Sequence, residues 1–390
     1  RMFKILLLSD FTSGYSRLLL KGVFQYAKEV GGWRFYRVPL NRSDFSNNLK
    51  IKDVITIAKR WQADAILGQL SGSVIDCFHS LKIPIIVQNY GERIDGVLNI
   101  TGDYRATGVM AANYFIRKGY RNFAFYGTNA TIWSREREEG FCTYLEKINK
   151  QVYTYNEEYN IRYESTLNQD SIISWLKKMP SSTALLACDD LFALRITELC
   201  GICGIKVPEK IAVLGVDNDE ILCNMSDPPL SSIALDVQNG GYQTAKLLYH
   251  MLCEKSIPTS NIVIPPIGIE RRNSTEGYAV SDKLVLEAIK LIENENNGLT
   301  NVSDLLKKLY VSRRVLEKKF IKEIGMSAYQ YILKYRVSCF AEKLLMSDMP
   351  VMDIALTLGY EDYINLSKTF KRIYNMTPTQ YRNYYKYGKL

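Results

Sequence analysis

The chain has 390 residues, 47% of them hydrophobic and 23% charged, with a formal net charge of +9. That length suits two or three domains rather than one. No apolar run approaches the roughly 18 residues of a membrane span, and the strand-length "MFKILLLSD" lacks the small-residue cleavage site of an export signal.

A cytoplasmic, reducing setting is therefore expected, and the eight cysteines are read in that light. Only Cys200 and Cys203 lie close together, in "ELCGICGI". With two histidines in the chain and no second CxxC, they read as a helix-end packing pair. Neither metal nor cofactor is expected.

Along the chain, short apolar runs alternate with longer helical patterns. "FKILLLSD" precedes a helix over Arg17–Glu29, and "RFYRVPL" precedes one over Ile51–Trp61. "DAILGQL", a helix before Lys82, "IPIIVQNY" and a helix over Ala106–Lys118 follow. Near residue 120 the series restarts with "NFAFYGT", the helix Arg135–Lys150 and "TALLACDD". The helix at 191–204, "IAVLGVDN" and the helix at 238–254 complete it. This alternation predicts two α/β lobes with doubly wound parallel sheets. Ligands of such sheets sit beyond the carboxyl ends of the strands. That places Ser9-Asp10, Gln88-Asn89, Asp189-Asp190 and Asp217-Asn218 at a cleft.

"IERRNSTEGYAVSD", residues 269–282, is polar and without periodicity. The boundaries drawn are a sensor over 1–275, a linker over 276–282 and a helical segment over 283–390. Residues 282–390 carry 18 Lys/Arg against 12 Asp/Glu, so two thirds of the net positive charge lies there, which points to a polyanion. The segment also repeats itself. Leu305-Leu306 recur as Ile354-Ala355, and at an offset of 50 Phe320 pairs with Phe370, Met326 with Met376, and Gln330-Tyr331 with Gln380-Tyr381.

Each unit reads as helix, tight turn, helix, with Gly359 suited to the second turn and Ser312 a plausible N-cap in the first. A helix-turn-helix lays its second helix in the major groove of duplex DNA. The outward positions of those helices are Arg313, Arg314, Glu317 and Lys318 in the first unit. In the second they are Tyr363, Ile364, Asn365, Ser367 and Lys368, with Leu366, Phe370 and Ile373 facing inward. Arg and Asn suit base edges and Lys suits phosphates.

"VMDIALTLGYEDYINLSKTFKRIYNMTPTQYR" resembles the second helix-turn-helix of AraC-type transcription regulators. The resemblance extends over roughly 283–385, with Leu366, Asn375 and Tyr310 departing from the family pattern. It implies that the DNA-reading positions are those just named. Residues 1–275 resemble the sugar-binding core of LacI/GalR-type repressors, which is itself like periplasmic binding proteins. "VPEKIAVLGVDNDE", "WSREREEGF" and "IERRNST" carry that likeness. Met2–Ser9 is already a strand, so the reader sits at the opposite end from that family's usual place. The combination resembles bacterial xylose-operon regulators.

By that resemblance Asp217, Arg137 and Asp103 bind sugar hydroxyls, and Asp189 falls where relatives often have Asn. By strand-end position Asp10, Tyr15, Arg17, Asn89 and Trp133 join the pocket. The expected partners are a pentose effector with D-xylose foremost, double-stranded promoter DNA, a second copy of the chain and, as a contact to be sought, RNA polymerase. A surface helix around Ile51–Trp61 is the suggested dimer face. Arabinose, another sugar, a different small molecule and a repressor role stay open. An enzyme is disfavoured, since the chain lacks a nucleophile elbow, a P-loop and a G-x-G-x-x-G after the first strand.

Overall fold

The computed structural model describes residues 2–9, 12–38, 48–70, 72–88, 91–158, 169–254, 260–294 and 301–388. The first lobe is built on β1 (Phe3–Leu8), β2 (Trp33–Val38), β3 (Ala65–Gly68), β4 (Ile85–Val87) and β5 (Leu98–Gly102), with α1 (Gly14–Val30), α2 (Asn48–Trp61) and α3 (Gly72–His79). The second lobe holds α4 (Tyr104–Arg117), β6 (Asn122–Thr128), α5 (Ile132–Glu146), β7 (Val152–Glu157) and α6 (Gln169–Lys177). It continues with β8 (Thr183–Ala187), α7 (Asp190–Ile202), β9 (Ile211–Val216), α8 (Glu220–Met225) and β10 (Ser231–Leu235).

The chain then returns. The helix α9 (Val237–Glu254) and strand β11 (Ile262–Ile264) belong to the first lobe, and β12 (Pro266–Glu270) to the second. The sheet orders are β11-β5-β4-β3-β1-β2 and β12-β10-β9-β8-β6-β7. The first is parallel throughout; the second ends on the antiparallel edge β12. Both faces of the first sheet are covered. Ile5 and Leu7 pack with α1 and α9, while Leu6 and Leu8 face the opposite layer, which explains the unbroken apolar run of β1. Close approach of α1 to α9 requires Gly22 and Gly241, where an added Cβ would lie 1.8 Å from the Gln238 carbonyl oxygen and 1.9 Å from that of Leu19.

The second sheet begins at β6, near residue 120 as expected, but the helix expected over 238–254 returns to the first lobe instead of completing the second. The lobes exchange chain at Gly102-Asp103, at Leu235–Val237 and at Ile264–Pro266, and the crossings are bonded to one another. Asp103 N donates to the Ile264 carbonyl at 3.0 Å, and Asp236 N to that of Pro265 at 3.1 Å. Part of the polar stretch is also folded in. Ser274 Oγ, in a 3-10 turn at Asn273–Thr275, donates to the Val213 carbonyl at 2.6 Å and accepts from Ser231 N at 2.8 Å. Within 276–282, Ala279 N donates to the Lys118 carbonyl, and Ser281 N to Glu323.

The helical segment comprises α10 (Lys283–Glu293), α11 (Val302–Leu309), α12 (Arg313–Ile324), α13 (Ala328–Met346), α14 (Val351–Thr357), α15 (Tyr363–Tyr374) and α16 (Pro378–Tyr387). Its duplication is carried into detail. Capping boxes Ser327/Gln330 and Thr377/Gln380 start α13 and α16, and edge-to-face pairs Phe320–Tyr331 and Phe370–Tyr381 fill the two cores. One inward position is corrected: Ile373 is 42% exposed, and Tyr374 stacks on Phe370 in its place. Among the described residues no helix is long and apolar enough to cross a membrane.

The first helical unit docks on the second lobe through the nearly buried Glu293. Its carboxylate accepts from Tyr331 at 2.8 Å, Tyr278 at 2.9 Å and Arg271 at 3.0 Å. Burial pushes this carboxyl up, but the nearby Arg271 and Arg117 charges and the two phenols outweigh it and hold the group below its usual range. Lys118 lies beside it, over the rings of Tyr278 at 4.3 Å and Tyr114 at 5.3 Å.

Glu293→Ala should leave the Tyr331 and Tyr278 hydroxyls and Arg271 without this acceptor and cost about 2 kcal/mol in denaturant unfolding. Burial, with Arg271 nearby, brings the Lys118 ammonium from 10.5 down to about 8. Below that window both folded and unfolded chains carry the charge and the burial penalty is full; above it both are neutral. Stability contributed at Lys118 therefore rises with pH through the window. Titrating wild type against Lys118→Met from about pH 7.5 to about 9.5 should show the variant's relative advantage shrinking.

Candidate functional site

The two lobes meet across the carboxyl ends of their strands. On one rim Arg135 donates to the Gly91 carbonyl at 2.6 Å and to Glu92 at 2.7 Å. Arg93 forks onto Glu136 at 2.8 and 2.9 Å, and Arg105 adds a third bond at 2.9 Å. Burial pushes the Glu136 carboxyl up, but the Arg93 hydrogen bonds, with Arg105, hold it below the usual range. Opposite, the start of α1 abuts the loop after β9; a Cβ on Gly14 would lie 2.5 Å from the Asp219 carboxylate.

Two cavities lie between these contacts. The smaller, of about 40 Å³, is lined by Ser13, Tyr15, Gln88, Tyr104, Trp133, Arg137 and Asp217. The larger, of about 280 Å³, adjoins Thr12, Ser13, Tyr15, Asp189, Asp190, Asp217 and Asp219. Tyr15, Trp133, Arg137, Asp189 and Asp217 are thus brought together. Arg137 is 2% exposed and sits at the centre. It comes from the first turns of α5, donates to the Cys188 carbonyl, and lies 3.6 Å from Asp217. Its Nε has no partner among the described residues. Tyr104, buried, is flanked by the guanidinium groups of Arg137 and Arg93 at 5.5 and 5.8 Å from its ring.

The Asp217 backbone is held at φ 104° and Asn218 at φ 50°, both outside the range comfortable for a side-chain-bearing residue. The neighbours explain how. Ser232 Oγ accepts from Asn218 N at 2.9 Å, Arg272 donates to Asn218 Oδ1 at 2.9 Å, and Asp190 accepts from Asp219 N at 2.7 Å. Asp190 is 1% exposed and also accepts from Ser232 at 2.6 Å. Burial, aided by the Asp217 charge, pushes its carboxyl well up.

Asp189 caps α7, accepting from Phe192 N at 3.0 Å, and Asp190 braces the Asp217–Asp219 loop.

Two expected residues stand elsewhere. Arg17 is exposed on α1 and donates to the Thr12 carbonyl. Asp103 is at the lobe crossing, where Oδ1 caps α4 through Ala106 N and Oδ2 accepts from Tyr385 of α16. Both of its oxygens are used, so the neighbouring Tyr104 faces the cleft instead. Asp10 and Asn89 lie outside the described residues. Gln88, placed at the cleft by its strand end, lines the smaller cavity, while Ser13 and Tyr104 were not among the expected pocket residues. Tyr104 directly follows the expected Asp103, but which of two adjacent residues turns inward depends on the crossing geometry.

On the helical segment, Arg313, Arg314 and Lys318 are exposed on α12, and Ile364, Asn365 and Lys368 on α15. Glu317 is corrected: its carboxylate accepts from Ala328 N at 2.9 Å, bracing the start of α13. Tyr363 packs partly against the core and Ser367 is half-buried. Among the described residues no cluster of three or more His, Cys, Asp or Glu is placed to hold a metal ion. Cys200 is core, and Cys203 is the C-cap of α7.

Comparison with known proteins matches residues 112–275 to the periplasmic binding protein-like domain family and residues 305–384 to a helix-turn-helix domain family. The xylose operon regulatory protein of Haemophilus influenzae is 32% identical, over 97% of this chain and 98% of its own length. That of Escherichia coli K12 is 28% identical, over 97% of each. The solved structure of a xylose-binding transcription activator has the same fold, with a TM-score of 0.61 at 24% identity over 98% of both chains.

Because Asp190 braces the loop carrying Asp217 and is driven toward its neutral form, Asp190→Asn should be nearly tolerated. Asp190→Ala should cost about 2 kcal/mol in urea unfolding. Equal losses for the two would show that the carboxylate charge, not its hydrogen bonds, holds the loop.

Proposed function

The chain belongs to the family of xylose-operon regulatory proteins, sugar-sensing transcription regulators that join a periplasmic-binding-protein-like sensor to an AraC-type DNA reader, and on that premise we propose that it is a D-xylose-responsive activator. The observation that carries the sensor half is the Arg137–Asp217 pair of the second lobe, lining the cleft with Asp189 and with Tyr15, Tyr104 and Trp133. Vicinal hydroxyls need fixed acceptors and donors, and the C–H face of a sugar ring suits aromatic walls.

Charge narrows the ligand. Asp189, Asp217 and Asp219 border the larger cavity, and Arg137 is already engaged by Asp217 and the Cys188 carbonyl. A phosphorylated or carboxylated sugar would meet like charge, so a neutral sugar is favoured. The cavity of about 280 Å³ falls at the lower edge of small-molecule sites, which suits one ring rather than a disaccharide. The relatives named for xylose favour that pentose.

Sugar held by both lobes favours their closed arrangement by its differential affinity for that state. The reader, as a dimer contacting RNA polymerase, engages promoter DNA through α12 and α15 in response. Isothermal calorimetry should detect D-xylose and give at least about tenfold weaker binding for D-ribose and L-arabinose, a difference of about 1.4 kcal/mol. Heat from xylose 5-phosphate but not from D-xylose would overturn the neutral-sugar reading.

Asn365 and Lys368 act differently on DNA. Asn365→Ala should weaken binding by about 1–3 kcal/mol and relax preference at one base pair. Lys368→Ala should weaken all sequences alike and lower the salt slope by about 1. Electrophoretic shifts over a salt series distinguish the two.

A further inference from the structure

Among the described residues the helical reader touches the second lobe through its first unit and α13, with Ile267 of β12 also against the second-unit core, and it touches the lobe crossings and α9 through α16. Its first unit is fixed to the second lobe. Besides the Glu293 cluster, Arg121 donates to the Lys322 carbonyl at 2.8 Å, and Arg117 of α4 reaches Ser338 of α13 at 3.4 Å. The long α13 then runs past β12, with Glu342 against Gly268 and Lys334 near the Tyr144 hydroxyl at 3.4 Å.

The second unit ends on α16, which lies elsewhere. Tyr385 donates its phenol to Asp103, at one lobe crossing. The Lys386 carbonyl accepts from Asn239 Nδ2 at 3.0 Å, and Asn239 also donates to Asp236, at another crossing, at 3.1 Å. Asn239 begins α9, a helix of the first lobe.

We infer that Tyr385 and Asp103 are the positioning residues through which lobe closure is transmitted to the second DNA-reading unit. The inference rests on the sugar-sensing reading above and adds the physical link that reading lacks. Reader unit one travels with the second lobe, while α16 is bonded to the crossings and to α9. Both sets of bonds are made together in the arrangement seen here, with Arg93 and Arg135 engaged across the rim.

The α16 contact is also suited to release. A cavity of about 310 Å³ lies between α16, α9 and β11, lined by Tyr384, Tyr385, Asp236, Gln243, Leu247 and Ile264 among others. The bonds from α16 to Asp103 and Asn239 beside this cavity are polar, and bonds of that kind are lost as soon as the partners separate by a few ångströms. Asp103 serves because its other oxygen is fixed by the α4 cap, so its position follows the crossing. Tyr385 serves because its ring is set within the reader's own core by edge-to-face contacts with Tyr381 and Tyr384 at 4.8 Å each.

The test uses the full-length chain with Tyr385→Phe, which removes one hydroxyl, and Tyr387→Phe as control, since Tyr387 bonds Asp348 within the reader. D-xylose affinity is measured by calorimetry. Affinity for a duplex selected from a random pool by wild type is measured with and without D-xylose. The ratio of those two affinities should fall by at least about fivefold in Tyr385→Phe, with sugar affinity moved less than about twofold and the control unchanged. By linkage, DNA should lose the same factor in its effect on sugar affinity, which a general loss of stability would not reproduce. Asp103→Asn, which keeps an oxygen for the α4 cap, should act in the same direction.

An unchanged ratio in Tyr385→Phe overturns the inference, as does a loss of sugar affinity that accounts for the whole change. If wild type binds no D-xylose, the sensor reading fails instead. Amide hydrogen exchange of 378–387 without ligand then decides, since faster exchange in Tyr385→Phe than in the control supports the tie and equal exchange refutes it.

Discussion

Three strands of chain pass between the lobes, and everything else in the molecule is arranged around that triple crossing. A single connection would leave the lobes free to rotate; three, hydrogen-bonded through Asp103, Asp236, Ile264 and Pro265, leave chiefly a bend. The cleft inherits its geometry from this. Arg137 from one lobe and Tyr15 from the other face each other because both are carried on stiff elements that meet at a fixed axis. The reader is governed by the same axis, because its last helix is bonded to residues that form it.

Much of this was visible beforehand. Parallel α/β layering followed from apolar runs separated by helical periods, and the duplicated reader from identities at one offset. Both are local signals, set by neighbours within a few turns. What escaped was the product of distant contacts. The return of α9 and β11 to the first lobe joins residues 213 and 162 positions apart, and no periodicity records it. Asp103 illustrates the cost. Its letter and setting match a hydroxyl-binding carboxylate, yet its partner is 282 residues away in another domain. Arg17 and Arg137 were alike as letters; burial at the cleft distinguishes Arg137 from the exposed Arg17. Glu317 looked outward by spacing, but the start of α13 needed an acceptor and captured it.

The cleft also shows how strain is kept where it is useful. Asp217 occupies an uncommon backbone region because the loop on which it sits is bonded from below by Asp190, Ser232 and Arg272. Those three do not need to touch a ligand for the site to depend on them. A buried acid that leans toward its neutral form is suited to that work, since it accepts several bonds without demanding a counter-ion.

The two reader units each need a left-handed residue at two joints, after the first helix and after the second. In the earlier unit these are Tyr310 and Gly325; in the later they are Gly359 and Asn375. Each copy has therefore kept one glycine and given up the other, at opposite joints. The requirement the two units share is a dihedral angle, not a letter, and any pattern written in letters will score an intact joint as damaged. It also means the copies are free to diverge in reach. Tyr310, 94% exposed, puts an aromatic ring on the surface of one turn where its twin presents bare backbone, so duplicates with one fold meet their surroundings with different chemistry.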